Sequence, residues 1–368
     1  MTESHAASSQ TRWLFPKKIT MQTSPNKVPT MSTKTSKGVS QLNTKKRETS
    51  PYYQVIETLS RRLIPTHPSY SLIQRTLAKM DAGNWGEDSV AHLFTYFYPT
   101  FPFNILHDVF LKSTTYVQID HILITPFKLF VIESKNLKGQ LIVTRHPDQL
   151  VQVLEDGKRI AYDSPLAQSE RNAELLNRWL TVQGYNIPVE HFVVFTNPTA
   201  EINTMQSEPS IVRTKFLTNE ILKRITGKKL LTFTELDVLA NKLRSSHISY
   251  QKNNILEKYQ IRPEHIVKGV QCSNCHRIRM EWKTCKWQCN CGYKSKDSHL
   301  QAFEDYRLLF GETITNKLCR EFLAIEDRYI AKRLLQLGGY QKSGTKRHTK
   351  YSLTSEKNII QLQKEGIR

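Results

Sequence analysis

Apolar residues recur at helical spacing through residues 53–80, with Val55, Leu59 and Leu63 four apart and Leu72 and Leu77 following a proline-broken turn. The spacing predicts a helical lead-in. A further helix is predicted to begin after Gly83 and to run through Val90, Leu93, Phe94 and Phe97, with Gly83 and Gly86 giving a tight entry. The period then shortens. Ile105–Leu111, Tyr116–Ile124, Leu129–Glu133 and Gln140–Thr144 read as strands, and the turns at 112–115 and 125–128 predict antiparallel neighbours. Pro165 opens an amphipathic helix through Leu175, Leu176 and Leu180, and His191–Thr196 reads as a buried strand closed by Asn197 and Pro198. Helix, strands, helix, strand is an α/β plan. Two more helices are predicted between Leu217 and Ile248, followed by a polar linker over Ser245–Asn254. The aromatic cluster of Trp85, Phe94, Tyr96, Phe97, Tyr98, Phe101 and Phe103 is expected to pack the core.

Polar residues interrupt this pattern where a core strand needs none. Asp120 follows the alternating Val117 and Ile119, and Glu133 and Lys135 end the run Leu129–Ile132. Residues two apart on a strand share a face, so Glu133 and Lys135 project together. If the two strands are neighbours, Asp120 joins them. Two carboxylates suit a hard cation such as Mg²⁺, which keeps waters for reaction, and a lysine beside them can orient a nucleophile or offset transition-state charge.

Charge and cysteine usage then narrow the function classes. The 368 residues carry 53 Lys+Arg against 33 Asp+Glu, a net charge of +20, which points to an anionic partner, nucleic acid first among them. No run approaches the roughly 18–20 apolar residues that cross a bilayer. The richest, 122–132, is broken by Lys128, which excludes an integral membrane protein. Residues 1–50 are polar and basic with no apolar core of a secretory signal, and read as a disordered tail. Five of six cysteines fall from Cys272 to Cys291, four of them in two close pairs, which fits a metal site in a reducing compartment, and the expected location is cytoplasmic.

Four ordered motifs carry a resemblance: Gly83-Asn84-Trp85-Gly86-Glu87, Gln118-Ile119-Asp120-His121, Val131-Ile132-Glu133-Ser134-Lys135-Asn136 with Gly139, and Ser164-Pro165-Leu166-Ala167-Gln168. Together they resemble the nuclease-related domain, NERD, of the PD-(D/E)xK nuclease superfamily, over about residues 82–198. The resemblance implies a restriction-endonuclease-like mixed sheet flanked by helices. Carried over by position, it implies Asp120 and Glu133 as metal-binding acids, Lys135 as the catalytic lysine, Glu87 as the acid of the first helix and Gln168 as the polar residue of the later one. Ser134 stands where many members have threonine. His121 follows the metal acid as in the family, and is either a site residue or a hydrogen-bonded strand histidine.

Cys272-Ser-Asn-Cys275 and Cys289-Asn-Cys291-Gly292 are two close thiolate pairs, the spacing of a tetrahedral Zn²⁺ site, with Trp282 and Trp287 expected to cover it. The segment resembles a zinc ribbon. The second pair is one residue short of the usual knuckle, which leaves Cys285 as a substitute ligand. Cys319 reads as a small buried apolar residue. A helix opened by Ile314-Thr315-Asn316 through Leu318 and Phe322, a turn, a second helix over Asp327–Leu337 and a basic hairpin-like stretch are similar to a winged helix-turn-helix, which would lay the second helix in a major groove and use Lys332, Arg333, Lys342, Lys346, Arg347 and Lys350 on nucleic acid.

The expected plan is a tail (1–50), a helical lead-in (51–81), the NERD-like domain (82–200), a helical extension and linker (201–250), a zinc ribbon (268–298) and a winged-helix-like domain (299–368). The expected function is a Mg²⁺- or Mn²⁺-dependent DNA endonuclease acting on double-stranded DNA and carrying Zn²⁺. The alternative is a catalytically idle DNA-binding protein of regulation or plasmid maintenance.

Overall fold

Ser50 accepts a hydrogen bond from the Tyr53 N–H and Pro51 occupies the first turn, which starts α1 (Pro51–Arg62). The computed structural model describes residues 49–204, 207–248 and 254–354. The expected tail up to residue 48, residues 249–253 of the expected linker and the last residues, 355–368, lie outside these.

The predicted helix entry after Gly83 is corrected. A single helix, α2 (Tyr70–Phe94), runs through both glycines, and its 25 residues make it about 37 Å long. Glycine weakens a helix interior, and Gly86 is there for packing. A Cβ at Gly86 would stand 3.0 Å from Asn136 Cβ and 3.0 Å from Thr196 Oγ1. Its absence lets α2 lie against the segments that leave two strands.

Those strands belong to a mixed sheet. After α2 come β1 (Asn104–Lys112), β2 (Tyr116–Ile124), β3 (Leu129–Lys135), β4 (Gln140–Thr144), β5 (Gln149–Val153), β6 (Arg159–Asp163), α3 (Pro165–Val182), β7 (Val189–Phe195), β8 (Glu201–Thr204), β9 (Ile211–Arg213), α4 (Thr214–Arg224) and α5 (Phe233–Ser245). The order β1-β2-β3-β7-β9 forms five strands, antiparallel up to β3 and parallel from β3 to β9. One face is covered by α3 and α5, where Leu176, Leu180, Leu236 and Leu239 meet Ile119, Ile122 and Val131. The other is covered by α4 and the end of α2, where Phe94, Leu217 and Ile221 meet Leu123, Phe130 and Phe192. The chain is thus a mixed α/β protein with its sheet flanked by helices. A second sheet, β6-β5-β4-β8, packs Leu141, Val143 and Leu150 against Val193 and Phe195. Of the predicted aromatic cluster, Phe94, Phe97, Phe101 and Phe103 are buried, whereas Trp85, Tyr96 and Tyr98 are exposed. The turn after α2 directs Phe97 inward and leaves its two tyrosine neighbours in water.

Beyond α6 (Ile255–Lys258), the strands β10 (Val270–Gln271), β11 (Ile278–Lys283), β12 (Lys286–Gln288) and β13 (Lys294–Ser295) make an antiparallel sheet. There follow α7 (His299–Phe310), β14 (Thr313–Thr315), α8 (Asn316–Leu323), α9 (Arg328–Leu337), β15 (Gln341–Ser343) and β16 (Lys350–Ser352), whose strands pair in the order β14-β16-β15. These elements do not form a core alone. Val55, Ile56 and Leu59 of α1, Leu63 just after it and Ile73 of α2 are buried with Trp287, Phe303, Cys319, Phe322 and Leu334. The lead-in therefore packs with segments more than two hundred residues later in the chain, and α2 carries one half in each core.

A buried ion pair fastens this joint. The Arg62 guanidinium is fully buried, 2.6 Å from Asp305, and donates also to the carbonyls of Val267 and Gly269. Arg61 adds a 3.0 Å contact to the same carboxylate, and the two arginine charges hold the Asp305 carboxyl below its ordinary range against the opposing effect of burial. Asp305→Asn leaves the Arg62 charge buried and uncompensated. It is expected to lower unfolding stability by about 3 kcal/mol, read by chemical denaturation.

Candidate active site and cysteine cluster

The ladder between β2 and β3 runs only from His121↔Ile132 to Ile124↔Leu129. Past it both strands continue unpaired with each other, and the freed backbone groups take other partners. Asn172 on α3 donates to the Gln118 carbonyl at 3.1 Å, and the Ser134 N–H donates to the Asp120 carboxylate at 2.9 Å, with the Ser134 hydroxyl at 3.1 Å on the same oxygen. The fork between the strands is where the predicted acids meet.

Glu133 and Lys135 share one face of β3, as their spacing predicts, and Lys135 Nζ donates to Glu133 Oε1 at 2.7 Å. Ser164 caps α3 by accepting from the Ala167 N–H, which sets Gln168 in the first turns, and Gln168 Oε1 accepts from the same Lys135 Nζ at 3.3 Å. Four sequence-predicted residues, Asp120, Glu133, Lys135 and Gln168, are therefore brought together. Glu87 is half-buried on α2, one residue past the Gly86 approach to Asn136. A cleft of 370 Å³, lined in part by Tyr116, Gln118, Gln168, Arg171 and Asn172, opens beside the fork.

The electrostatics are those of a site short of positive charge. Glu133 is 2% exposed, and its Oε2 has no hydrogen-bond partner among the described residues. Burial first and the Asp120 charge second push its carboxyl up to about 7, despite Lys135 and a hydrogen bond to Gln168. Burial also raises Asp120, with a further contribution from Asp108. A buried carboxylate oxygen without a partner is costly, and a hard cation held by oxygen ligands would satisfy it. Asp120 and Glu133 therefore fit such an ion.

The surroundings of His121 fit the strand histidine of the two alternatives. It is fully buried, with its Nδ1 2.7 Å from Nδ1 of His107 on the neighbouring strand. Asn172 and Asp108 escaped the sequence reading, and Ser134 was named there without this role. Ser134 and Asn172 hold the fork open through backbone groups, and Asp108 on β1 stands near Asp120. A serine or an asparagine carries no periodic signal, but Asp108 interrupts the apolar run Ile105–Leu111 and was legible as a break.

Cys272, Cys275, Cys289 and Cys291 converge, with all four sulfurs within 4.8 Å of one another. Sγ–Sγ separations of 3.6 Å (Cys272 to Cys291) and 3.5 Å (Cys275 to Cys289) are close to the roughly 3.8 Å edge of a tetrahedron of thiolates about 2.3 Å from zinc. The short second knuckle works because Gly292 takes φ +90° and its N–H closes on the Cys289 carbonyl at 2.9 Å. The N–H of Tyr293 and the Asn274 amide lower the Cys291 thiol, while burial and the neighbouring thiols push the Cys289 thiol up, so the four sulfurs share their protons as a cluster. Cys285 is not part of this cluster. With Thr284 it forms the two-residue turn of the β11–β12 hairpin, both at positive φ, and it is exposed. Trp287 is fully buried with Trp282 edge-on at 5.3 Å, and Cys319 is buried as expected.

Asp327 caps α9 by accepting from the N–H groups of Tyr329 and Ile330. Lys332 and Arg333 on that helix and Lys342, Lys346 and Lys350 on the following hairpin are exposed. The side chain of Arg347 lies outside the described residues. No helix among the described residues is long and apolar enough to cross a membrane.

Residues 82–196 match the family model described as the nuclease-related domain, NERD. The match spans the end of α2 and every element from β1 to β7, the β2–β3 fork and α3 included. No curated protein and no solved structure matches the chain.

Proposed function

We propose that this chain, which carries a nuclease-related domain, is a Mg²⁺- or Mn²⁺-dependent DNA endonuclease that hydrolyses phosphodiester bonds at the β2–β3 fork. The observation behind this reading is Glu133: a buried carboxylate with one oxygen unpartnered, beside Asp120 and Lys135. Asp120 and Glu133 would hold the cation, which polarises the scissile phosphate and acidifies a bound water. Lys135 is held between Glu133 and Gln168, where its ammonium orients the attacking water and offsets charge as it develops on the phosphate. Glu87 faces substrate or metal from α2. The N-terminal end of α3 adds the positive end of a helix dipole, which favours an anion.

Targeting falls to the C-terminal elements. Helix, strand, helix, helix and hairpin in the order of α7 to β16 is the plan of a winged helix. In this reading α9 enters the major groove of double-stranded DNA with Lys332 and Arg333, and the hairpin sets Lys342, Lys346, Arg347 and Lys350 on phosphates. Zn²⁺ on the four clustered cysteines is structural. Duplex affinity then falls steeply with salt.

Supercoiled plasmid incubated with the purified full chain and Mg²⁺ or Mn²⁺ tests the assignment. Nicking or linearisation is expected, and it disappears in Lys135→Ala. Cleavage that persists in Lys135→Ala and Glu133→Ala overturns it. Salt-sensitive duplex binding with no cleavage under either ion supports an idle DNA-binding protein instead.

A further inference from the structure

We propose that the cleft beside the fork is a nucleotide subsite that holds one unpaired base of the cut strand on Tyr116 and its phosphate on Arg171, an inference that rests on the nuclease reading above. The substrate is then DNA with an unpaired nucleotide next to the cut. One wall of the cleft is the start of β2, with Tyr116 and Gln118, and the other is α3, with Gln168, Arg171 and Asn172. Two hydrogen bonds fix the distance between these walls. The Ser113 hydroxyl, in the turn before β2, donates to the Leu175 carbonyl at 2.9 Å, and Asn172 donates to the Gln118 carbonyl at 3.1 Å. The cleft is therefore built into the fold. It adjoins the chemistry through Gln168, which lines it and also accepts from Lys135 at 3.3 Å.

Arg171 is exposed and has no hydrogen-bond or ion-pair partner among the described residues. The one acid within helical reach of it, Glu174, is paired instead with Arg178. A free guanidinium on a cleft wall suits a phosphate, which it meets with a planar fork of donors. Tyr116 is 58% exposed, and its ring stacks on Phe110 of β1 with 5.6 Å between centroids and 4° between planes. Lys112 Nζ stands 6.0 Å from the same ring. The core does not call for this tyrosine, because its buried neighbour Val117 serves the core from this end of β2. A ring backed by a second ring is a rigid platform, and stacking of bases on aromatic side chains tolerates any sequence. A base paired inside a duplex shows only its edge to a groove and must leave the helix to stack on such a ring. The 370 Å³ of the cleft is in the range of small-molecule pockets, room for one nucleotide and not for a duplex.

The zinc-loaded full chain, without added Mg²⁺ or Mn²⁺ so that nothing is cut, is mixed with a DNA duplex and with the same duplex carrying one unpaired 5-iododeoxyuridine. Affinity is read by fluorescence anisotropy, and ultraviolet cross-linking with peptide mass mapping locates the base. The unpaired nucleotide is expected to raise affinity by at least about tenfold and to cross-link at Tyr116. Tyr116→Ala is expected to lose both effects and Tyr116→Phe to keep both. Arg171→Ala is expected to weaken binding of the unpaired nucleotide and to lower its salt dependence by about one phosphate contact. Affinity for the plain duplex should stay within a few-fold of wild type in all three variants. An unchanged preference in Tyr116→Ala, or a cross-link that maps outside the cleft, overturns the proposal. So does an equal loss of plain-duplex affinity in Tyr116→Ala, which makes the ring a support of the β1–β2 turn. If wild type binds both duplexes equally yet nicks plasmid with Mg²⁺, the subsite falls and the nuclease reading stands. If the preference and the Tyr116 cross-link hold in a chain that cuts no DNA with either ion, the subsite stands and the nuclease reading falls.

Discussion

Glu133→Gln is expected to reduce Mg²⁺-dependent cleavage by at least about 10³-fold while leaving duplex binding within a few-fold of wild type. The substitution keeps the volume of a buried side chain and removes one negative charge at the centre of the fork. Lys135 then loses its 2.7 Å carboxylate partner and keeps only Gln168, and the unpartnered Oε2, the oxygen that suits a cation, is replaced in the amide. Folding should not suffer. A neutral amide at this buried position removes a carboxylate that burial and Asp120 already push up to about 7. The sign of the pH effect follows. Because the folded group is raised above its ordinary value, the metal-free wild type is less stable above pH 7 than near pH 5, and Glu133→Gln flattens that slope. For the same reason protons compete with the cation below about pH 7, so more Mg²⁺ should restore wild-type activity at pH 6 and do nothing for the variant. Plasmid nicking across a Mg²⁺ series at two pH values, with filter binding in parallel, reads all of this. Strong cleavage by Glu133→Gln removes the carboxylate from the mechanism.

How much of this was legible before the structure depends on the range of the interaction. β2, β4 and the start of α3 are read to the residue from alternation and from Ser164-Pro165, because strand parity and helix capping are local. Glu133 and Lys135 share a face for the same reason. Local rules also explain the errors. Two glycines near a polar stretch read as a helix start, but the helix continues because Gly86 must pass Asn136 and Thr196, which are 50 and 110 residues away in sequence. β6 was missed because, with four of its five residues exposed, it has no apolar face to betray it. The union of α1 with the C-terminal core depends on Arg62 meeting Asp305 across 243 residues, and no periodicity encodes that. Asp108 is the intermediate case, a visible break in an apolar run whose meaning depends on the strand opposite.

Removing zinc is expected to have a larger effect on the fold than any single substitution above. The ribbon strands hold two to six residues each and bury few side chains of their own. Four thiolates closing on one ion would supply free energy on the order of 10 kcal/mol that this segment cannot obtain from packing. The consequence spreads because the segment is not an appendage. Val270, Cys272, Met280 and Trp287 lie in the same core as Leu59 of α1, Ile73 of α2 and Phe303 of α7. Chelation should therefore expose the fully buried Trp287 and melt α1 and the C-terminal helices together, while the sheet between α3 and α4 persists. Metal analysis is expected to give about one zinc per chain in wild type and in Cys285→Ser, whose exposed hairpin thiol is outside the cluster, and much less in Cys291→Ser. A full zinc complement in Cys291→Ser would show that the short knuckle is not a ligand turn. Because α2 passes from the core that holds the cysteine cluster to the fork, chelation should also lower cleavage itself, and an unchanged cleavage rate on DNA already bound would mean that the two halves of α2 unfold independently.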